Sequence, residues 1–546
     1  MNSLLGRPTR PLRPRRRPAS DRREAARASR GGWTPWPAAI LVLAVAAGVA
    51  IRLVALASTI GRLDADEAVT GVMAHDILNG QSFAYLAGSN YMGSLEQYLQ
   101  AGVLAVLPST PTTLRLVQVA LCGLTCLVVG FLGRRVTGTA WGGVLAAALY
   151  AVGPYYNIYK GIHSHGAYMA AQVIGVCALL LALRLDPASR HSRWVAGGLG
   201  LCVGVGLWES SLTVFLVVPA VVWALGSSRG SLLRLVPYGI AAAILGYGPS
   251  IAYQVRHGWI PPWAQGNGTS TGSVGTRLSG LVHPVLGMFL GALRPFSGAP
   301  AASWLPQALV VAAALALLAA AIAVRWRGLV DLATLGTSRR APIDPVLAGF
   351  ILFAVPYGLS SFTVYTREPR YLFTLYPMLA LALAWGVTRI PGRAVMPVGL
   401  ALVAVIAAMS IATMRTADAR GETTGHVDGL PIRSQDMPAV VVALQREGVH
   451  TLYANYWLAF PIAFASNGTI AVVGSPGVRR FPDMAAQVAR DPHPAFAAPV
   501  GPPADRLQAA ITASGAHADR IDVRSIAIFV HVTPPRRPAQ LGRALN

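Results

Sequence analysis

Three carboxylates stand within four residues at Asp64-Ala65-Asp66-Glu67, directly after the first long apolar run of the chain. Acids crowded at that place have two readings. They can open a solvated helix, because the helix N-terminus favours negative charge. They can also take a proton from a bound hydroxyl, which is the work of a positioned carboxylate. A second polar run follows closely, Gly88-Ser89-Asn90-Tyr91-Met92-Gly93-Ser94-Leu95-Glu96-Gln97-Tyr98. It adds Tyr91 and Glu96 as residues that could line the same site. Further along stand Lys160, His163 and His165 in Lys160-Gly161-Ile162-His163-Ser164-His165, and Glu209 between two apolar runs. An acid at such a position is costly unless it is paired or wet, so Glu209 either lines the site or caps the following helix.

Composition sets the frame that must hold these residues. Of 546 residues, 54% are hydrophobic and 12% charged. That charged share is about half of what a soluble chain carries. Several apolar runs reach the roughly 20 residues that span a bilayer. The expected fold class is a polytopic α-helical membrane protein with about eleven transmembrane helices and a small C-terminal exterior α/β domain. The net charge of +23 comes almost wholly from arginine, since Lys160 is the one lysine. A nucleic-acid binder would gather such charge on one face. Here the arginines gather instead at the N-terminus and in short loops between apolar runs, as cytoplasmic loops do. Cys122, Cys126, Cys177 and Cys202 all lie inside apolar runs. They read as small buried hydrophobes rather than as a disulfide or a metal site.

Residues 1–35 are rich in Arg and Pro, and form an expected disordered cytoplasmic tail. Spans are expected near 38–57, 113–133, 139–157, 167–185, 194–209, 211–226, 235–253, 305–324, 346–364, 371–388 and 394–414. With the N-terminus inside, the loops 133–135, 184–193, 229–234, 325–340 and 389–393 are cytoplasmic, and each is basic. Residues 36–414 then form the transmembrane catalytic domain, with exterior loops over 58–112 and 254–304. Residues 415–546 form the exterior domain. Its pattern gives helices over 437–447 and 505–514 and strands over 450–454, 470–473 and 525–532. The chain is expected in the plasma membrane, with the acidic cluster and the C-terminal domain outside.

Several of these stretches together resemble a known family. Asp66-Glu67-Ala68, a helix ending Ile77-Leu78-Asn79-Gly80, and Tyr91-Met92-Gly93-Ser94-Leu95-Glu96 look like the first exterior loop of GT-C glycosyltransferases. The nearest resemblance is to family 39, with the protein O-mannosyltransferases and the lipid A aminoarabinose transferase. Arg115 in Thr113-Leu114-Arg115-Leu116 sits where those proteins carry an Arg-Leu. Glu368-Pro369-Arg370-Tyr371-Leu372 with Leu375-Tyr376-Pro377 resembles their late Arg-Tyr-Leu element, and Tyr453-Ala454-Asn455-Tyr456-Trp457-Leu458-Ala459 a stretch of bacterial relatives.

The resemblance implies transfer of a hexose or pentose from a polyprenyl-phosphate donor to an acceptor hydroxyl, with inversion. It carries the general base onto Asp66, with Glu67 orienting the acceptor or holding Asp66. Asp64 lies outside the family pattern. The departing lipid phosphate needs fixed cations, and arginine fits phosphate oxygens bidentately. Arg367, Arg370, Arg115 and Lys160 are the expected donor-phosphate residues. His163 and His165 depart from the pattern of the relatives and are expected to contact lipid or acceptor. A divalent metal shared with Asp66 or Glu96 is the alternative left open, and no cofactor is otherwise expected. The acceptor is a cell-envelope polysaccharide, lipid or protein, with no role for nucleic acid. The competing class is a transporter or flippase for a lipid-linked sugar. That class should show internal repeats with helices broken at mid-membrane, and no such pairing is seen in the sequence.

Overall fold

The computed structural model describes residues 33–546 except 90, 260–272, 303–305, 360–365, 423–424, 476–479, 543 and 546. The expected tail lies outside the described residues apart from its last three, as does part of the exterior segment 254–304. A helix stands at each expected span: Pro35–Leu56, Pro111–Thr137, Ala140–Val152, Tyr168–Arg184, Ser192–Glu209, Val214–Ser227, Leu232–Gly246, Gln307–Ala333, Asp344–Leu359, Tyr376–Val387 and Val395–Arg420. Among the described residues, five helices are long and apolar enough to cross a membrane. There are six if Leu233–Gly246 and Gly248–His257, bent by 55° at their junction, make one crossing. Ala140–Val152, Tyr168–Arg184 and Asp344–Leu359 are shorter. By length and composition, five or six of the described helices could each cross a membrane, against the eleven crossings expected.

Small residues let these helices approach closely, as they do where lipid gives no hydrophobic drive to association. A Cβ on Gly200 or Gly204 would lie 2.0 Å from the carbonyl oxygen of Gly239 or Ala243 on the neighbouring helix. Elsewhere in the bundle, Arg52 of helix α1 (Pro35–Leu56) is fully buried. Its guanidinium donates to the carbonyls of Gly48 and Ala151, at 3.1 and 3.0 Å. A charged group inside the bundle is tolerated because those carbonyls meet it.

The site-bearing helix α2 (Ala65–Leu78) opens on Asp64, whose side chain accepts from the Glu67 amide at 2.9 Å. This is an N-cap, and Asp66 and Glu67 fill the first turn where acids favour the helix dipole. The loop continues into α3 (Leu95–Leu104) and then α4 (Pro111–Thr137), which carries Arg115. Helix α5 (Tyr155–Lys160) delivers Lys160 to the same end of the bundle.

The C-terminal residues form a five-stranded sheet. Its strands are β1 (Thr451–Asn455), β2 (Ala471–Ser475), β3 (Ala495–Pro499), β4 (His517–Val523) and β5 (Ile526–Thr533), in the order β2-β1-β3-β5-β4. Strand β1 runs parallel to both β2 and β3, while β5 runs antiparallel to β3 and β4. Between β1 and β2 lies helix α6 (Tyr456–Ala465). This helix packs on α2, and the two belong to one buried cluster with Ala68, Val69, Val72, Met73, Leu458, Ile462 and Phe464. His75 stacks on Phe464 with ring centroids 5.4 Å apart. A Cβ on Gly71 would meet the Phe464 ring at 2.4 Å, so the ring rests on bare backbone. The sheet domain is therefore fused to the helix that carries Asp66 and Glu67.

Replacing Phe464 by alanine should cost about 3–5 kcal/mol, the usual range for emptying such a site. Thermal unfolding of the detergent-solubilised protein should begin at lower temperature, and an unchanged melting curve would refute the shared core.

Candidate functional site

Glu67 and Asp66 are neighbours in sequence and opposites in environment. Glu67 is fully buried. Its Oε1 accepts from Arg115 Nε and from the Ser164 amide, each at 2.8 Å. Its Oε2 meets Arg115 Nη2 and lies 2.8 Å from His163 Nδ1. Arg115 also donates to the carbonyls of Gly61 and Arg62, and His163 Nε2 donates to the Ile60 carbonyl at 2.7 Å. Burial alone would raise the Glu67 carboxyl, but Arg115 and then His163 hold it well below the usual carboxylate range. The result is a closed ion cluster beneath the site.

Asp66 instead opens on a cleft of about 190 Å³, and its side chain is 43% exposed. The cleft is also lined by Asp64, Tyr91, Tyr159, Lys160, His165, Tyr168, Phe296, Glu368, Arg370, Trp457 and Arg480. Asp66 Oδ1 accepts from the Tyr456 hydroxyl at 2.6 Å and lies 3.3 Å from Arg480 Nη2. Across the cleft, Lys160 Nζ is 2.8 Å from His165 Nδ1. An ammonium can only donate, so Nδ1 accepts and the ring proton sits on Nε2. That nitrogen donates to Asp64 Oδ2 at 2.7 Å. Asp64 is pushed up by burial and pulled further down by His165, so it stays below its ordinary value.

Glu368 ties the cationic wall together. It accepts from the Tyr156 hydroxyl at 2.5 Å and from Arg370 Nε at 2.8 Å. Burial opposes its charge, but Lys160 and Arg370 outweigh that and lower its carboxyl to about 2. Burial pulls Lys160 down from its usual value, and Glu368 works against that.

Of the residues expected in the site, Asp64, Asp66, Tyr91, Lys160, His165 and Arg370 meet at the cleft. Glu67, Arg115 and His163 lie behind it in the ion cluster. Glu96 and Glu209 lie apart. Glu96 is fully buried and accepts from Gln118 Nε2 and the Ala170 amide, each at 2.8 Å. Glu209 accepts the Leu95 amide at 3.1 Å, and its carbonyl accepts the Gly93 amide at 2.9 Å. It thereby supports the segment from Tyr91 to Glu96, and a Cβ on Gly93 would strike it at 2.4 Å. Arg367 is exposed and is not among the residues lining the cleft. Sequence reasoning missed Arg480 outright, and took Glu368 as part of a motif rather than as a wall residue. The one available signal for Glu368 was an acid beside the arginine expected to bind phosphate.

Among the described residues, Asp64, Glu67, His163 and His165 each offer a ligand atom, all within 4.8 Å of one another. The donor types suit a divalent cation. The surroundings do not: a cation there would displace Arg115 from Glu67 and sit beside the Lys160 ammonium. The four residues are satisfied by one another and by those two cations.

Two substitutions test this geometry. Glu67→Gln leaves Arg115 buried against a neutral amide and should destabilise the fold by about 3–5 kcal/mol, the cost of breaking a buried pair. Wild-type stability would show that the cluster is no anchor. Glu96 gives the opposite sign. Burial raises its carboxyl from 4.5 to about 7, so the folded state holds a proton that the unfolded chain gives up. That stability is present at low pH and is lost as pH rises through this window. Gln118 Oε1 has no partner among the described residues and can receive an introduced amide. Glu96→Gln should therefore gain stability relative to wild type between pH 5 and pH 8, in roughly that window. A constant difference across that range would show that Glu96 does not titrate there.

Comparison with known proteins adds to this geometry. The family profile described as dolichyl-phosphate-mannose-protein mannosyltransferase matches residues 94–250. No curated protein sequence matches the chain. Among solved structures, ArnT from Cupriavidus metallidurans bound to undecaprenyl phosphate superposes with a TM-score of 0.60. The identity is 14%, covering 91% of this chain and 99% of that one. The same enzyme in its apo state gives 0.58 at 15% identity, covering 89% and 97%. The chain thus shares the fold of ArnT, and its residues 94–250 are similar to the dolichyl-phosphate-mannose-protein mannosyltransferase family.

Proposed function

We propose that the chain is a glycosyltransferase that moves a sugar from a polyprenyl-phosphate donor to an acceptor hydroxyl on the exterior face of the membrane. One observation carries this reading: a half-exposed carboxylate, Asp66, shares one cleft with Lys160 and Arg370. The fold shared with a protein solved with undecaprenyl phosphate bound supports the same donor class.

In the proposed step, Arg370 and Lys160 hold the phosphate at the membrane surface. Glu368 fixes the Arg370 guanidinium through Nε, and Tyr156 braces Glu368 from behind. The acceptor hydroxyl gives its proton to Asp66 as its oxygen bonds to the anomeric carbon. The bond from that carbon to the phosphate oxygen breaks, and the electron pair leaves with the lipid phosphate. Fixed cations stabilise that charge as it develops. A single displacement from the face opposite the phosphate inverts the anomeric centre. Glu67 acts from below, keeping the start of α2 in place through Arg115 and the Ser164 amide. The step uses these residues without a metal.

The proposed topology has eleven crossings, with the N-terminus in the cytoplasm and the cleft and sheet domain outside. It rests on the basic loops and on the helices found at each expected span. The acceptor is a hydroxyl of a cell-envelope polysaccharide, lipid or protein.

Membranes carrying the protein should transfer label from a polyprenyl-phosphate sugar, and Asp66→Asn should lower that rate by about 10²–10⁴-fold, the usual weight of a general base. Donor binding should persist in that variant. Full turnover by Asp66→Asn would remove Asp66 as the base. Arg370→Ala should weaken donor binding by roughly ten- to a hundredfold, as expected for losing a hydrogen bond to a charged group. Unchanged donor affinity would place the phosphate elsewhere.

A further inference from the structure

Asp66 sits on the membrane-bound part of the chain, yet both groups that hold it come from the sheet domain. Tyr456 is the first residue of α6, and follows directly on the carboxyl end of β1. Arg480 follows the carboxyl end of β2. These two strands are parallel neighbours. The crevice beyond the carboxyl ends of parallel strands is where α/β sheets place their ligand-handling groups. In this chain that crevice closes over Asp66.

The geometry at Asp66 is one-sided. Tyr456 and Arg480 both address Oδ1. Among the described residues Oδ2 has no hydrogen-bond partner, although the carboxylate lines the cleft. Arg480 is itself bracketed. It donates through Nη1 to the Ala87 carbonyl at 3.2 Å and through Nη2 to the Tyr456 hydroxyl at 3.0 Å. It thus bridges the first exterior loop and the sheet domain. The Tyr456 hydroxyl is raised above its ordinary value, by burial first and then by Asp66, so it stays protonated and remains a donor. Helix α6 is held at its far end by Phe464 against Gly71 and His75. Its near end, with Tyr456, is thereby fixed relative to α2.

We propose that Tyr456 and Arg480 are positioning residues for the transfer step, holding Oδ1 of Asp66 so that Oδ2 takes the acceptor proton. The sheet domain is then a working part of the catalytic centre. This inference rests on Asp66 being the base. The proton passes from the acceptor hydroxyl to Oδ2, the acceptor oxygen bonds to the anomeric carbon, and the phosphate leaves with the electron pair of the broken bond. The charged and titratable groups around Asp66 are Tyr456 and Arg480 from the sheet domain, Lys160 from α5 with His165 on the loop after it, Asp64 on its own loop, and Glu368, Arg370, Tyr91, Tyr159 and Tyr168 elsewhere in the cleft.

The test uses the full chain in membranes with a labelled polyprenyl-phosphate sugar as donor. Tyr456→Phe keeps the ring and removes the donor to Oδ1. Its kcat should fall on the order of a hundredfold, the cost of a misplaced catalytic group. Donor KM should stay unchanged. Arg480→Lys should show the same split with a smaller fall, and carries the test if Tyr456→Phe does not fold. A wild-type kcat in the folded variants would overturn the proposal. So would a loss of rate that only follows the amount of folded protein, or a rise in donor KM that matches the fall in kcat. Turnover by Asp66→Asn is a separate outcome that refutes the base itself, whereas an inactive Asp66→Asn beside a normal Tyr456→Phe refutes only the positioning role.

Discussion

The buried ion pair between Glu67 and Arg115 is the contact on which the rest of the site depends. It joins helix α2 to helix α4, and through the Ser164 amide and His163 it takes in the loop after α5. A charge buried this deeply is costly unless its lone pairs meet donors, and Glu67 has three, Arg115 Nε and Nη2 and the Ser164 amide. Once Glu67 is committed inward, the residue before it on the helix cannot share that direction, since successive helical side chains point about 100° apart. Asp66 is thus delivered to the cleft. Adjacent carboxylates acquire different surroundings, one kept charged as an anchor and one left half open to the cleft as the proposed proton acceptor.

The same constraint gives the cleft its charge pattern. Lys160 ends the short helix whose following loop supplies His163, Ser164 and His165. Fixing that loop on Glu67 also fixes Lys160 and His165 opposite Asp66. His165 then bonds Asp64, which is the N-cap of α2, so the wall and the helix start brace each other. Glu368 and Arg370 arrive from much later in the chain and complete the cationic side. From the other direction the sheet domain contributes its α6 to the core beneath α2. A domain packed in this way cannot drift from the cleft without opening that core.

Much of this was legible in the sequence. The apolar runs located every long helix, because bilayer-spanning length is a property of the run alone. The acid cluster marked the site, because clustered acids at a membrane edge need a reason. What the sequence did not show was direction and distance. Nothing in Asp66-Glu67 says which acid turns inward, since that depends on Arg115 packing behind it. Arg480 lies 414 positions from Asp66 and carries no local signal at all. In the sheet domain, β3 (Ala495–Pro499) escaped notice because alanine and proline are poor strand formers, and β4 (His517–Val523) because its polar residues blur the alternation. Helix α6 was hidden inside an aromatic run that read as a motif.

The central claim is a division of labour, with a closed cluster on Glu67 that supports and an open cluster on Lys160 and Arg370 that binds. A structure of the protein with a polyprenyl phosphate bound tests it most directly. The phosphate should lie against Lys160 and Arg370, with the Glu67–Arg115 pair intact behind Asp66. A phosphate seated on Arg115 in place of Glu67 would contradict the account.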